Sequence, residues 1–272
     1  MLLYRALYFL YYGAGAMLTP FLSLYYAEQG LTGTQMGIIW AAGPLVTVVF
    51  QPLWGLWSDA VGKRRIFLLL LAVSAFGSLL YLPANQFWHL LLIAVILAIF
   101  RSPVGTILDS FVLENLEHHG GRTEYGKSRM WGAVGWSIFS ALTGRIIDLA
   151  GLAAMFVLNC IGNLATLAVG TRVRDSQQLL TQKVEYQKLV ELLRNRHMSI
   201  LLFSVLLLQL AASSMYSFFS IYLDTIGAPS SMIGTAYFLE GLSEIPVFFL
   251  SGWFIRRMGA KWGVATGALA YG

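Results

Sequence analysis

Apolar runs of roughly 18–25 residues, each long enough to cross a bilayer as a helix, alternate with polar connections along nearly the whole chain. They fall near residues 6–26, 34–57, 66–83, 87–109, 129–150, 152–171, 199–223 and 231–255, and a ninth begins near Trp262. Lysine and arginine collect in every second connection: Arg5, Lys63–Arg65, Arg122, Lys127, Arg172, Arg174, Lys183, Lys188, Arg194, Arg196, Arg256, Arg257 and Lys261. The intervening connections, near Glu28–Gln35, Pro83–Gln86 and Asp224–Ser231, hold no basic residue. By the positive-inside rule this alternation predicts a multi-pass protein of the cell membrane with a cytoplasmic amino terminus. The longest polar segment, residues 172–198, contains an amphipathic stretch, Leu179–Leu193. It reads as a cytoplasmic linker between a six-helix bundle, residues 1–171, and a second bundle that starts at residue 199.

Composition fits this pattern and narrows it. Of 272 residues, 57% are hydrophobic and 11% charged, against about 25% charged in a soluble domain, and the mean hydropathy is +0.68. That leaves no room for a soluble catalytic domain. The formal net charge of +5 is dispersed over connections and forms no stripe, so it implies no nucleic-acid partner. Cys160 has no intrachain partner for a disulfide and is expected to pack. The first apolar run has further spans behind it and is the first membrane helix, not a cleaved leader. His89, His118, His119 and His197 lack metal-ligand spacing apart from the adjacent pair, and Gly13-Ala-Gly15 is a helix-packing patch without the strand context of a dinucleotide site. No catalytic constellation, metal site or cofactor is expected.

A repeat runs through the chain. Gly55-Leu-Trp-Ser-Asp59-Ala-Val-Gly62-Lys63-Arg64 follows span two, and Gly252-Trp-Phe-Ile-Arg256-Arg257-Met-Gly259-Ala-Lys261 follows span eight. Both glycines stay in step at an offset of roughly 197 residues, the mark of a parallel-repeat transporter architecture. Doubling the offset predicts a parent of about 390–400 residues with twelve spans. The expectation is therefore an all-α helical bundle that stops early in helix nine: a six-helix half and the start of a second.

Few charges fall inside the spans, where each is costly and by default faces a cavity or a partner. Asp109 and Arg129 lie ten residues either side of His119. At ~1.5 Å per residue this puts both about 15 Å from the turn, on adjacent helices, where they can neutralise each other. A structural ion pair at the cytoplasmic interface is the plainer alternative. Trp136 sits seven residues after Arg129, two turns along the same face. Glu240 and Glu244 lie four apart in span eight and repel each other, so one of them is expected to carry a proton, as proton coupling requires. Hydrogen bonding to a neighbouring helix is the alternative. Arg101 is a candidate partner for either glutamate or for an anionic substrate group. Pro20, Pro44, Pro52, Pro103 and Pro246 are expected to interrupt or kink helices one, two, four and eight.

The Gly55-x-x-x-Asp59-x-x-Gly62-Lys63-Arg64 loop resembles the signature between helices two and three of the major facilitator superfamily. In that superfamily the loop helps to latch the two halves on the cytoplasmic side, which implies a gating role for Gly55, Asp59, Gly62, Lys63 and Arg64. Reading outward, Gly37-Ile-Ile-Trp-Ala-Ala, Phe50-Gln-Pro-Leu-Trp-Gly-Leu-Trp-Ser-Asp59 and Tyr125-Gly-Lys-Ser-Arg129-Met-Trp-Gly132-Ala-Val-Gly135-Trp136 look like the lactose-permease (oligosaccharide:proton symporter) branch. The resemblance implies that Asp109 and Arg129 bind sugar hydroxyls and that Trp136 stacks on the sugar ring. Three departures stand beside it. Asp109 is a carbon shorter than the branch's glutamate, the branch's helix-eight glutamate falls at Gly241 beside Glu240, and helix seven has no charge where the branch carries paired aspartates.

Together these features predict a monomeric secondary transporter that moves a small polar solute, sugar or sugar-like, by alternating access with proton symport. The proton gradient is then the energy source, Glu240 and Glu244 carry the proton, and the lipid bilayer is the surrounding partner. Nucleosides, aromatic acids or drugs on the same fold, or a non-transporting membrane sensor or receptor, are the alternatives.

Overall fold

The computed structural model describes residues 1–119, 124–173 and 195–271, and helix is the only regular secondary structure among them. Helix α1 (Leu2–Ala16) stops short of Pro20, which has no N–H to continue it. A single 3-10 turn, Thr19–Phe21, leads into α2 (Leu22–Glu28), and the two helices form one crossing. Then follow α3 (Gly33–Val61), α4 (Lys63–Ser78), α5 (Phe87–His119), α6 (Tyr125–Ala150), α7 (Ala154–Gly170), α8 (Arg196–Thr225) and α9 (Ser230–Tyr271). The expected interruptions occur only partly. Pro20 coincides with a break, whereas Pro44 and Pro52 lie within a continuous α3, Pro103 within α5 and Pro246 within α9. The amphipathic stretch Leu179–Leu193 of the expected linker lies outside the described residues.

Among the described residues, six stretches are long and apolar enough to cross a membrane: Leu2–Glu28, Gly33–Val61, Lys63–Tyr81, Phe87–Leu116, Met198–Thr225 and Ser230–Arg257. Helix α7 is apolar but shorter, at 17 residues, and α6 carries Lys127, Arg129, Arg145 and Asp148. Helices α3 and α8 expose large apolar side chains such as Leu45, Val48, Phe203 and Leu206. Such a surface suits hydrocarbon, which does not penalise it as water does.

Two apolar layers fill the interior. At the end with few bases, Phe21, Tyr25, Tyr26, Met36, Tyr81, Phe156 and Tyr237 pack together, and at the base-rich end Leu7, Tyr8, Phe67, Leu70, Leu108 and Phe111 do so. Helix α1 lies against α6 and α7, α4 against α5 and α7, and α3 against α5. Asn159 on α7 donates to the Ala14 carbonyl over 2.6 Å, which satisfies a buried amide. A Cβ on Gly135 would collide with the Phe9 carbonyl, so this glycine sets how closely α6 approaches α1. Helix α6 also packs along its length on α9, through Gly126, Gly144, Gly234 and Gly241.

The repeat has a backbone counterpart. Gly62 (φ +111) ends α3 and Gly259 (φ +77) breaks α9 at the matching place, dividing it into residues 230–258 and 260–271. Gly30 (φ +76) and Gly227 (φ +80) form a second pair at the same offset of roughly 197 residues. Only glycine adopts these angles without strain.

Candidate functional site

The intramembrane charges come from three helices: Asp109 and Arg101 from α5, Arg129 from α6, Glu240 and Glu244 from α9. Asp109 and Arg129 do not pair. Among the described residues no ion pair within 4.0 Å involves either. Helix α5 continues to His119 and α6 begins at Tyr125. Asp109 thus lies ten residues from its helix end and Arg129 only four from the start of α6. Asp109 instead accepts the Tyr8 hydroxyl of α1 at 2.5 Å.

Arg129 is held by rings. Its guanidinium carbon lies 3.7 Å from the Tyr12 ring centroid, 4.9 Å from Phe248 and 5.9 Å from Tyr8, a cation between aromatic faces. Gly132, one turn on, makes this possible, since a Cβ there would meet both the guanidinium and the Tyr12 ring. Glu244 of α9 lies within electrostatic reach of Arg129. Tyr12 and Tyr8 come from the first half and Phe248 from the second, so Arg129 stands where the halves meet.

Trp136 rests over Gly15 of α1, and its ring centroid lies 6.4 Å from that of Tyr216 on α8. Tyr216 donates its hydroxyl to Glu240 Oε2 at 3.2 Å and packs edge-on against Tyr237 at 5.2 Å. Glu240 and Glu244 therefore have different surroundings. Glu240 is half-buried among Tyr216, Trp136 and Tyr237, while Glu244 is exposed on the Arg129 side. Arg101 is half-buried and forms no ion pair with Glu240 or Glu244. Its charge acts instead on Tyr11, Tyr26 and Tyr81.

The expected loop is reduced to Gly62 between α3 and α4, and across that junction Asp59 approaches Lys63 at 4.0 Å. Lys63 reaches into α5, where it pairs with Glu114 and donates to Ser110 at 2.8 Å. An Arg64 nitrogen donates to the Thr171 carbonyl after α7. These contacts tie the junction to other helices of its own half. Gly62 supplies the positive φ, while a Cβ on Gly55 would meet nothing within 4 Å.

Several of these partners escape a reading of the sequence. Tyr4, Tyr8, Tyr11 and Tyr12 in helix one fall at helical spacings on one face, which is a legible sign of a polar-tipped aromatic wall. Tyr216 and Glu114 carry no local signal. Their roles arise from helices distant in sequence.

A family description, MFS_1 like family, matches residues 1–272. The chain is 30% identical over 257 residues to the uncharacterized transporter YwbF of Bacillus subtilis (strain 168), covering 92% of this chain and 63% of that protein. It is 28% identical over 254 residues to the maltose permease of Geobacillus stearothermophilus, covering 93% of this chain and 64% of the permease. The chain thus spans somewhat less than two thirds of the length of these relatives. The crystal structure of the nucleoside transporter NupG (D323A mutant) superposes with a TM-score of 0.78 over 95% of this chain and 68% of that one, at 15% identity. That likeness concerns the fold.

Proposed function

The chain belongs to the MFS_1 like family, within the major facilitator superfamily that its motifs resemble, and from that membership we propose that it carries out secondary transport of a small polar solute. The solute is a sugar or sugar-like molecule, bound between the halves and moved by alternating access with proton symport. Asp109 and Arg129 engage its hydroxyls, Trp136 stacks on its ring, and Glu240 or Glu244 carries the proton. The observation that carries this proposal is the convergence of Tyr8–Asp109, Arg129–Tyr12–Phe248 and Trp136–Tyr216–Glu240 from both halves. Aromatic faces beside acid and guanidinium groups suit a ring that is apolar on its face and polar at its edge. A second solute class, a nucleoside or an aromatic acid, is favoured by the same abundance of rings, since Tyr12 and Phe248 already stack a planar group.

The alternating basic connections support a cytoplasmic amino terminus in the cell membrane, and the protein works as a monomer. The deciding experiment is uptake into proteoliposomes under an imposed proton gradient. It uses the parent of about 390–400 residues that the repeat predicts. Gradient-dependent accumulation of a sugar is expected. Accumulation of nucleosides or aromatic acids alone would move the solute class, and no gradient-dependent uptake of any of them would overturn the symport assignment in favour of a sensor or receptor.

A further inference from the structure

At the base-poor end the two halves are joined by a set of polar contacts. Ser23 Oγ on α2 donates to the Ser217 carbonyl on α8 at 2.5 Å. Ser220 Oγ on α8 donates to the Pro20 carbonyl, at the break between α1 and α2. Residues 23 and 220 are one repeat apart, and so are residues 20 and 217. One bond is therefore made twice, once in each direction across the junction. Both hydroxyls are buried, Ser23 at 3% and Ser220 at 2% exposure, so water does not compete with either bond while the junction is closed.

A third contact is one-sided. Helix α3 completes its own N-terminus with a capping box: the Thr32 backbone N–H donates to Gln35 Oε1 at 2.9 Å, and the Gln35 N–H donates to Thr32 Oγ1 at 3.3 Å. The matching positions at the start of α9 are Pro229 and Met232, which have neither the hydroxyl nor the amide that the box needs. Asp148, at the end of α6 in the other half, accepts the N–H of Ser230 at 2.8 Å and that of Ser231 at 3.0 Å. The carboxylate thus meets the positive end of the α9 dipole through two charge-assisted bonds. The N-terminus of α9 is completed by the opposite half, and only while the base-poor face is closed.

We propose that Asp148 and the Ser23/Ser220 pair form a latch that holds the base-poor face shut, and that its release opens the solute path to that side. The inference rests on the transport assignment only in giving the opening a purpose. The latch is itself a conformational equilibrium that can be measured without solute. Asp148 acts at the exposed rim, where water can replace it on opening, and the serines act inside.

The test places a single reporter thiol behind the latch. Ile233 is 1% exposed and lies one turn into α9 from Ser230, so Ile233→Cys in a Cys160→Ser background reports opening through its rate of alkylation by a membrane-impermeant maleimide added at the base-poor face. Asp148→Ala, and separately Ser23→Ala with Ser220→Ala, are expected to raise that rate about 3- to 10-fold, the effect of losing one or two hydrogen bonds on a two-state population. Thr32→Ala, which breaks a cap inside one half, is expected to leave the rate unchanged. Unchanged rates in both latch variants overturn the proposal, and so does an equal rise with Thr32→Ala. Should Asp148→Ala fail to fold, Asp148→Asn with the parent rate overturns it. Faster alkylation without uptake of any solute would leave the latch standing while the transport assignment fails, and normal uptake with unchanged alkylation does the reverse.

Discussion

Arg129 shows how much a single side chain depends on its plane as well as its charge. A guanidinium 3.7 Å from the Tyr12 centroid is stacked, and an ammonium cannot reproduce that geometry. Arg129→Lys is therefore expected to weaken solute binding at least ~10-fold while expression and thermal stability stay near those of the parent, as binding calorimetry would show. If Arg129→Lys and even Arg129→Ala bind normally, the residue is structural. Tyr8→Phe keeps the ring but removes the hydroxyl that Asp109 accepts. It is expected to cost about 0.5–1.5 kcal/mol of binding through a less firmly held carboxylate, with little change in unfolding temperature. The amino-acid sequence singled out Asp109, Arg129, Glu240 and Glu244 because charge in an apolar run stands out. It could not show that Tyr8 and Tyr216 hold two of those acids, since a tyrosine in an apolar run has no such contrast.

At the scale of elements, the two glycines of the α3–α4 motif separate into different kinds. Gly62 has φ +111, where a Cβ is strained, so Gly62→Ala is expected to destabilise by about 1–2 kcal/mol. Gly55 lies inside α3 with nothing within 4 Å of a Cβ, so Gly55→Ala is expected to be neutral or to stabilise by up to ~1 kcal/mol. Thermal unfolding of the two variants in detergent tests the contrast. A loss of stability with Gly55→Ala would mean that another helix meets that face. Hydropathy marked where apolar runs begin and end, but helices continue past them. Residues 110–119 are polar enough to end an apolar run, yet they extend α5 by ten residues. Pro44, Pro52, Pro103 and Pro246 likewise break no helix, because neighbours and local adjustment absorb a missing N–H inside a bundle.

For the whole molecule, glycines on α6 and α9 let the two halves approach closely along that seam. A Cβ on Gly144 would collide with the Ser230 carbonyl, and one on Gly234 with the Ser140 carbonyl. Valine at either position is expected to force the helices apart. A spin-label distance between α6 and α9 should lengthen by an ångström or more, on the order of the added side chain, and uptake should fall. An unchanged distance would show that the seam is soft. The repeat itself was legible from Gly55, Gly62, Gly252 and Gly259, but the second glycine pair, Gly30 and Gly227, emerges only from the backbone angles. The paired serines at the base-poor end carry a consequence for descent. A contact in which one residue touches a second, while their counterparts touch in return, is the signature of a two-fold homodimer interface. The Ser23–Ser217 and Ser220–Pro20 bonds preserve that symmetry inside one chain, as two separate copies of an ancestral half would have made it before they were joined. A chain in which residues 17–30 also replace residues 214–227 should then keep both bonds, and its structure would show whether the old interface still fits itself.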